Sequence, residues 1–360
     1  MKKIVTIVGA RPQFVKAAAL SRKIQQDYSD RIKEVIVHTG QHYDANMSDI
    51  FFTEMDIPKP DYNLDINGLS HGAMTGQMLE KIEEVLVKEQ PDLVLVYGDT
   101  NSTIAGALAA SKMQIKVGHV EAGLRSFNMA MPEEINRILT DRISTVLFCP
   151  TQTAIDNLEK EGYKNIDIKI VMSGDIMLDS ALYYAKISES RSSVMNDLGL
   201  KGEQFILGTI HRQENTDDIE RLTAIINGLN VISKTTQVIV PIHPRTRGII
   251  SKANLKPEFT IIDPVGYFDM IELLKNCEKV VTDSGGLQKE AFFFKKPCIT
   301  MRDETEWVEL IEAGVNVLVG ANEQAIIEAV SSPTSENAGF DQLLYGSGDC
   351  AGVICEELLN

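Results

Sequence analysis

The chain has 360 residues, 44% hydrophobic and 24% charged, a composition of globular proteins with room for two domains. Its formal net charge of -16 argues against duplex nucleic acid or an anionic membrane as partner, since both are polyanions. A small anion held by a local group of cations and helix ends remains possible under that charge. No stretch approaches the roughly 20 apolar residues of a membrane span. MKKIVTIVGARPQ at the N-terminus carries an apolar run too short for a secretory signal. The five cysteines, Cys149, Cys277, Cys298, Cys350 and Cys355, are odd in number and form no C-x-x-C pair. They read as small core residues of a protein in a reducing cytoplasm.

Short β-branched runs and helical periods alternate along the chain. The pattern predicts a strand over Lys3 to Val8 ended by Gly9, then a helix in FVKAAALSRKIQQ. It continues with a strand Glu34 to Thr39, a helix-like segment around Asn46 to Met55, a helix Ser70 to Glu89, and a strand Asp92 to Tyr97. A helix from Thr103 to Lys112 and strands Lys116 to Val120 and Thr145 to Cys149 follow. Strands apolar throughout and separated by helices imply a parallel sheet covered on both faces. The alternation resumes with a strand Lys169 to Met172, helices around Leu178 to Lys186 and Ser193 to Leu198, and a strand Phe205 to Thr209. After these come a helix Asp218 to Lys234, strands Gln237 to Pro241 and Thr260 to Ile262, and a helix Asp269 to Asn276. A strand Lys279 to Thr282, a helix Leu287 to Phe293, a strand Pro297 to Met301 and a helix Glu306 to Ala313 are next. A strand Asn316 to Leu318, a helix Glu323 to Ser331 and an amphipathic tail helix complete the series. The expectation is an α/β protein with two doubly wound Rossmann-like domains. The first spans 1–172 and takes back the helix 347–360; the second spans 173–346. Such domains bind ligands at the carboxyl ends of their strands.

Candidate residues gather at those strand ends. HVEAGLRSFNMAMPEEINR, from His119 to Arg137, packs carboxylates (Glu121, Glu133, Glu134) and cations (His119, Arg125, Arg137) beside apolar segments. Buried charge is costly unless paired, so the stretch reads either as a salt-bridged loop over a sheet edge or as a site. Arg11 and Lys16 sit near a helix N-terminus, where a cation opposes the helix dipole; an anionic ligand there would account for them. Asp283-Ser284-Gly285-Gly286 precedes a helix and has the makings of a phosphate cradle, with Glu290 one turn on as an acceptor for a ribose. His211 and Arg212 close a strand, where a histidine can stabilise or protonate a leaving phosphate. Asp99 lies at another strand end, as do His42 and His243. No pair of histidines has zinc-motif spacing, and neither G-x-G-x-x-G nor a P-loop follows the first strand, so no metal or redox cofactor is expected.

GARPQFVK, TGQHYD, YGDTNST, HVEAGLRS, MPEEINR, HRQEN, HPRT, TDSGGLQKEA and the run Arg302 to Glu306 occur in order over nearly the whole chain. Together they resemble the non-hydrolysing UDP-N-acetylglucosamine 2-epimerases. The resemblance implies a GT-B fold, with the nucleotide in a central cleft and a last helix crossing back to the first domain. It implies loss of UDP from C1 and of the proton from C2, a glycal intermediate, and re-addition with protonation from the other face. Asp99, Glu121 and Glu133 match the family's acidic catalytic positions, and Arg137 a position that holds a carboxylate or ligand. Arg11, Lys16, His211, Ser284, Gly285 and Gly286 are then the groups for the diphosphate. Tyr267 lies near the nucleotide base, and Glu290 and Arg302 join the substrate-binding set. Gln41, His42 and His243 are positions for substrate or for an activating second UDP-sugar. No cofactor, a UDP-sugar as partner and a homodimer complete the expectation.

The sequence departs from better-known members in GQHYDANMS, in SFNMAMPEE, and at Met270 near the base. These differences resemble a branch acting on modified sugars such as UDP-2,3-diacetamido-glucuronate. A sugar carboxylate would call for a further cation, with Arg125, Arg302 and His71 as candidates. A GT-B glycosyltransferase, a hydrolysing epimerase and a non-catalytic nucleotide-sugar sensor are the competing readings.

Overall fold

A computed structural model describes residues 1–41, 55, 57–333, 335 and 338–360. The apolar runs pair as two all-parallel sheets. The first contains β1 (Lys2–Val8), β2 (Ile32–His38), β3 (Tyr62–Asn63), β4 (Leu93–Tyr97), β5 (Lys116–Val120), β6 (Val146–Cys149) and β7 (Lys169–Met172). Their order is β3-β2-β1-β4-β5-β6-β7. Val5 lies opposite Val35 on one side and Val94 on the other. The inner strands have no solvated face, which is why they are apolar throughout instead of alternating. Val5, Ile7, Val94 and Val96 are fully buried and pack with Met78, Ile82 and Leu86 of the helix His71–Glu89. Each such side chain contributes about 1.5–3 kcal/mol through burial.

The second sheet contains β8 (Phe205–Thr209), β9 (Gln237–Pro241), β10 (Thr260–Ile262), β11 (Lys279–Thr282), β12 (Cys298–Thr300) and β13 (Asn316–Leu318), in the order β10-β9-β8-β11-β12-β13. Each sheet reverses its winding once, between β1 and β4 and between β8 and β11. Outside the carboxyl ends of strands at such a reversal, doubly wound folds bind their ligands.

The chain divides into two compact units, Met1–Ser180 with Leu343–Asn360, and Ala181–Gln342. The change-over falls inside the helix Ile176–Arg191, beyond the Ser-Gly-Asp run at 173–175. The last helix, Cys350–Leu359, belongs to the first unit. Asp179 accepts hydrogen bonds from its first two N–H groups, Cys350 (3.0 Å) and Ala351 (2.8 Å). Tyr28 donates to Glu356 at 2.6 Å. The returning chain passes so close to Gly174 (φ +77°) that a Cβ there would lie 2.8 Å from the Tyr345 carbonyl oxygen. Two doubly wound sheets and a returning helix are the elements of the GT-B class.

Among the described residues, three helices of nine or more residues were not evident from periodicity: Pro132–Ile143, Gln152–Lys160 and Pro244–Lys252. Their signals lie at their starts: Pro at the first position of two, and Thr151 capping the third. The helix after DSGG begins at Gly285, two residues before Leu287, because Ser284 caps it. The helix-like segment around Asn46 to Met55 lies outside the described residues, apart from Met55. All five cysteines are buried. Among the described residues no helix is long and apolar enough to cross a membrane.

Candidate active site

The first unit's reversal point is held by Gln13, which is buried. Its Oε1 accepts from the N–H groups of Gly9 (2.8 Å) and Ala10 (3.0 Å), at the end of β1. Its Nε2 donates to the Tyr97 carbonyl (2.7 Å), Thr103 Oγ1 (2.9 Å) and Thr100 Oγ1 (3.0 Å), at the end of β4. One side chain thus ties the two strand ends. Gly9 allows the close approach, since a Cβ on it would lie 2.0 Å from Ser102 Oγ.

Lys16, one turn into the helix Arg11–Lys23, pairs with Glu121 Oε2, and both side chains are 11% exposed. Glu121 has φ +72°, a left-handed conformation that costs a non-glycine residue roughly 1–2 kcal/mol. The N–H groups of Glu121 (3.1 Å) and Ala122 (3.0 Å) both donate to the Phe148 carbonyl, which makes a bulge at the end of β5. The bulge aims the carboxylate at Lys16. Gly98 lies beside the pair; a Cβ there would be 3.3 Å from Glu121 Oε2.

Asp99 and Arg137 come together from a strand end and the helix Pro132–Ile143, with Arg137 Nη2 2.5 Å from Asp99 Oδ2. Asn136 of the same helix donates to the Asp99 carbonyl at 2.8 Å. Arg137 Nη1 also donates to Glu134 Oε2 at 3.0 Å. Glu134 is buried, whereas its neighbour Glu133 is exposed. Burial works against the charged form of Glu134, yet the N–H groups of Ser126 and Phe127 and the Arg137 guanidinium outweigh it and hold the carboxyl below its ordinary range.

The remaining charges of this stretch form a buried support. His119 contacts Asp141 Oδ1 through Nδ1 and the Gly98 carbonyl through Nε2, both at 2.7 Å. Arg125 donates to Asp141 (2.7 Å), to both oxygens of Glu161 (2.7 and 2.8 Å) and to the Leu124 carbonyl (2.8 Å). Arg125 was a candidate for a sugar carboxylate. The structure corrects that expectation, because its fork is already taken by two carboxylates and a carbonyl. Within the His119–Arg137 stretch, His119 and Arg125 are buried in ion pairs that support the fold, whereas Glu121 and Arg137 meet Lys16 and Asp99 at the strand ends.

In the second unit His211 and Asp283 stand on either side of the reversal point. Asp283, fully buried, accepts from the His211 ring at Nδ1 (2.9 Å), the N–H groups of His211 (3.0 Å) and Arg212 (3.1 Å), and Asn215 Nδ2 (3.3 Å). Burial pushes its pKa up, but the His211 ring and these N–H groups more than offset it and hold the carboxyl below its usual range. The imidazole of His211 is half exposed, with Nδ1 engaged. Ser284 caps the helix Gly285–Phe293 by accepting from Leu287 N–H at 3.4 Å. Gly286 faces open space, and the first N–H groups of the helix suit an anion.

Gly285 is closely approached, since a Cβ there would sit 2.4 Å from Glu306 Oε1. Glu306 pairs with buried Arg302 at 2.8 Å; burial raises its pKa, and the charge of Arg302 more than reverses the shift. Arg302 Nε is buried without a hydrogen-bond partner among the described residues. Trp307 Nε1 donates to the Gly285 carbonyl at 2.9 Å and so fixes the turn. Tyr267 OH lies 3.4 Å from Glu290 Oε1, which brings two residues singled out in the sequence together.

The other candidates are placed as follows. Arg11 opens its helix and is exposed. Gln41 Oε1 accepts from Ser102 N–H (3.1 Å) and Oγ (2.8 Å). His42 lies outside the described residues. His243 is exposed and caps the helix Pro244–Lys252 through its ring. His71 Nδ1 lies 3.3 Å from Asn101 Nδ2. Gln13, Glu134, Asp283 and Glu306 received no role of their own from the sequence, although Glu134 was noted in the charged stretch and Asp283 in the Asp-Ser-Gly-Gly run. Each sits within a motif quoted above, but which of two adjacent carboxylates points inward is a matter of helix phase.

A family model described as UDP-N-acetylglucosamine 2-epimerase matches residues 23–359. The chain belongs to the UDP-N-acetylglucosamine 2-epimerase family. This epimerase is 56% identical over 357 residues to UDP-2,3-diacetamido-2,3-dideoxy-D-glucuronate 2-epimerase of Pseudomonas aeruginosa, covering 99% of each chain. It is 46% identical over 339 residues to UDP-N-acetylglucosamine 2-epimerase of Methanocaldococcus jannaschii, covering 91% of each. Among solved structures it resembles a UDP-GlcNAc 2-epimerase of M. jannaschii in complex with UDP-GlcNAc and UDP, with a TM-score of 0.83, 42% identity and 99% of each chain covered.

Proposed function

We propose that this epimerase inverts C2 of UDP-2,3-diacetamido-2,3-dideoxy-D-glucuronate. The observation that carries the substrate is the 56% identity, over 99% of both chains, to the P. aeruginosa enzyme of that name. UDP-N-acetylglucosamine is the second reading. It is favoured by the family description and by the commitment of Arg125 to Asp141 and Glu161, which withdraws one cation considered for a sugar carboxylate.

In this reading the C1–O bond breaks with its electrons passing to UDP, a carboxylate takes the C2 proton, and a C1=C2 double bond forms. UDP then adds back to C1 while a proton is delivered to the opposite face of C2, so nothing is consumed. Glu121, Glu133 and Asp99 handle the proton; two faces need more than one carboxylate. Arg137 holds Asp99, and Lys16 holds Glu121. His211, oriented by Asp283, stabilises the departing diphosphate together with Arg11, Arg302, Ser284 and the N–H groups of Gly285 and Gly286. Glu290 and Tyr267 serve the uridine. The same proposal includes a homodimer in the cytoplasm making a polysaccharide precursor; sedimentation of the purified protein at twice the monomer mass is the expected result for its assembly.

Proton NMR in deuterated water tests the substrate. Deuterium should enter C2 of the diacetamido-glucuronate nucleotide, with two epimers and little free UDP. Exchange in UDP-GlcNAc instead would hand the substrate to the second reading, and UDP release only with an added acceptor would point to a transferase.

A further inference from the structure

Four donors converge on Glu134, a carboxylate to which the reaction above gives no part. Its Oε2 accepts from Ser126 N–H (2.9 Å), Ser126 Oγ (3.0 Å) and Arg137 Nη1 (3.0 Å), and its Oε1 accepts from Phe127 N–H (2.9 Å). That number of donors matches the lone-pair capacity of a carboxylate. Glu134 is 1% exposed, so water has no access to replace a lost partner.

The two sides of this hub differ in kind. On one side Ser126 and Phe127 begin the loop that runs to the helix at Pro132, and Phe127 is held at φ +57°. A left-handed phenylalanine is unfavourable by roughly 1–2 kcal/mol and needs a fixed partner. On the other side Arg137 reaches both Glu134 and Asp99 with its two terminal nitrogens. The guanidinium is planar and rigid, so the position of one carboxylate sets the position of the other.

We propose that Glu134 is a positioning residue: from one buried carboxylate it sets Asp99, through Arg137, and fixes the loop Ser126–Met131 in register with it. The loop's placement and the proton-handling carboxylate are then coupled, so loop sequence acts on rate as well as on fit. The proposal rests on the epimerase reading.

The test compares wild type, E134Q, R137K and E134Q/R137K by C2 deuterium exchange, kcat and KM on the nucleotide sugar, with UDP affinity and circular dichroism as controls. E134Q should lower kcat by at least about tenfold while KM and UDP affinity stay within roughly threefold. In the R137K background the same change should cost less than about threefold, because the path to Asp99 is already broken. A kcat for E134Q near wild type, or an equal loss in both backgrounds, overturns the proposal. Should E134Q fail to fold, E134D is read the same way, since a shorter side chain cannot reach the loop and Arg137 together; a wild-type kcat there is equally fatal. A wild-type protein that exchanges C2 in neither sugar instead removes the epimerase reading itself.

Discussion

Replacing Asp283 by Asn removes one charge and one acceptor from the hub beneath His211. If the remaining oxygen keeps the Oδ2 position, the N–H groups of His211 (3.0 Å) and Arg212 (3.1 Å) and Asn215 Nδ2 (3.3 Å) retain a partner. The bond from the ring to Oδ1 (2.9 Å) is then lost in its present sense, because an amide NH2 facing Nδ1 can only donate and forces the ring's proton onto Nε2. A hydrogen bond to a charged group is worth about 1.5–3 kcal/mol, and those that remain weaken with loss of the charge, so a destabilisation of about 3 kcal/mol is expected. The imidazole is then held in the other tautomer with no charge behind it, and kcat should fall by roughly 10²-fold. The sign of the pH effect follows from the direction of the shift. The folded pKa of Asp283 is depressed, so its contribution is present above the unfolded value of about 3.9 and is lost as pH falls through the folded value. Urea unfolding of wild type and D283N should therefore differ most at neutral pH and converge in acid. A kcat within about twofold of wild type, or a stability gap that does not change with pH, would refute the orienting role.

Two further changes probe the frame. Gln13→Glu keeps the shape but puts carboxylate oxygen against the Tyr97 carbonyl, where Nε2 now donates; a loss of about 3 kcal/mol at neutral pH, shrinking as the pH falls, is expected in thermal unfolding. Asp179 behaves oppositely to Asp283. Burial, only partly offset by the N–H groups of Ala351 and Cys350, pushes it up to about 6. Its contribution is complete below the unfolded value of about 3.9 and is lost as pH rises through about 6. Between those limits wild type should lose up to about 3 kcal/mol relative to D179N, read as a difference in melting temperature across the range.

Much of the fold was legible because fully buried parallel strands cannot hide: EVIVH and DLVLVY contain little besides apolar residues. What stayed hidden obeyed weaker signals. β3 pairs two residues, Tyr62 and Asn63, with β2 and has no apolar run to announce it. The helix Pro132–Ile143 is amphipathic yet carries Glu134, Asn136 and Asp141 on its buried side, so its inward face reads as polar. The site was legible as a set of motifs at strand ends. The division of labour inside it was not. Charge density drew notice to Arg125, which the fold consumes in pairing with Asp141 and Glu161, while Gln13, uncharged, drew none. Sequence shows which charges exist; only the packing shows which are already neutralised.

The tie made by Gln13 is electrically silent. An amide joins the ends of β1 and β4 without adding a charge beside Arg11, Lys16, Glu121 and Asp99. The local potential is consequently left to residues that do not hold the strands together. Frame and field are separable here, so a charge can be changed at the rim to suit a different anion while the spacing of the two strand ends stays as it was. A chain built this way has room to change its sugar without rebuilding its sheet.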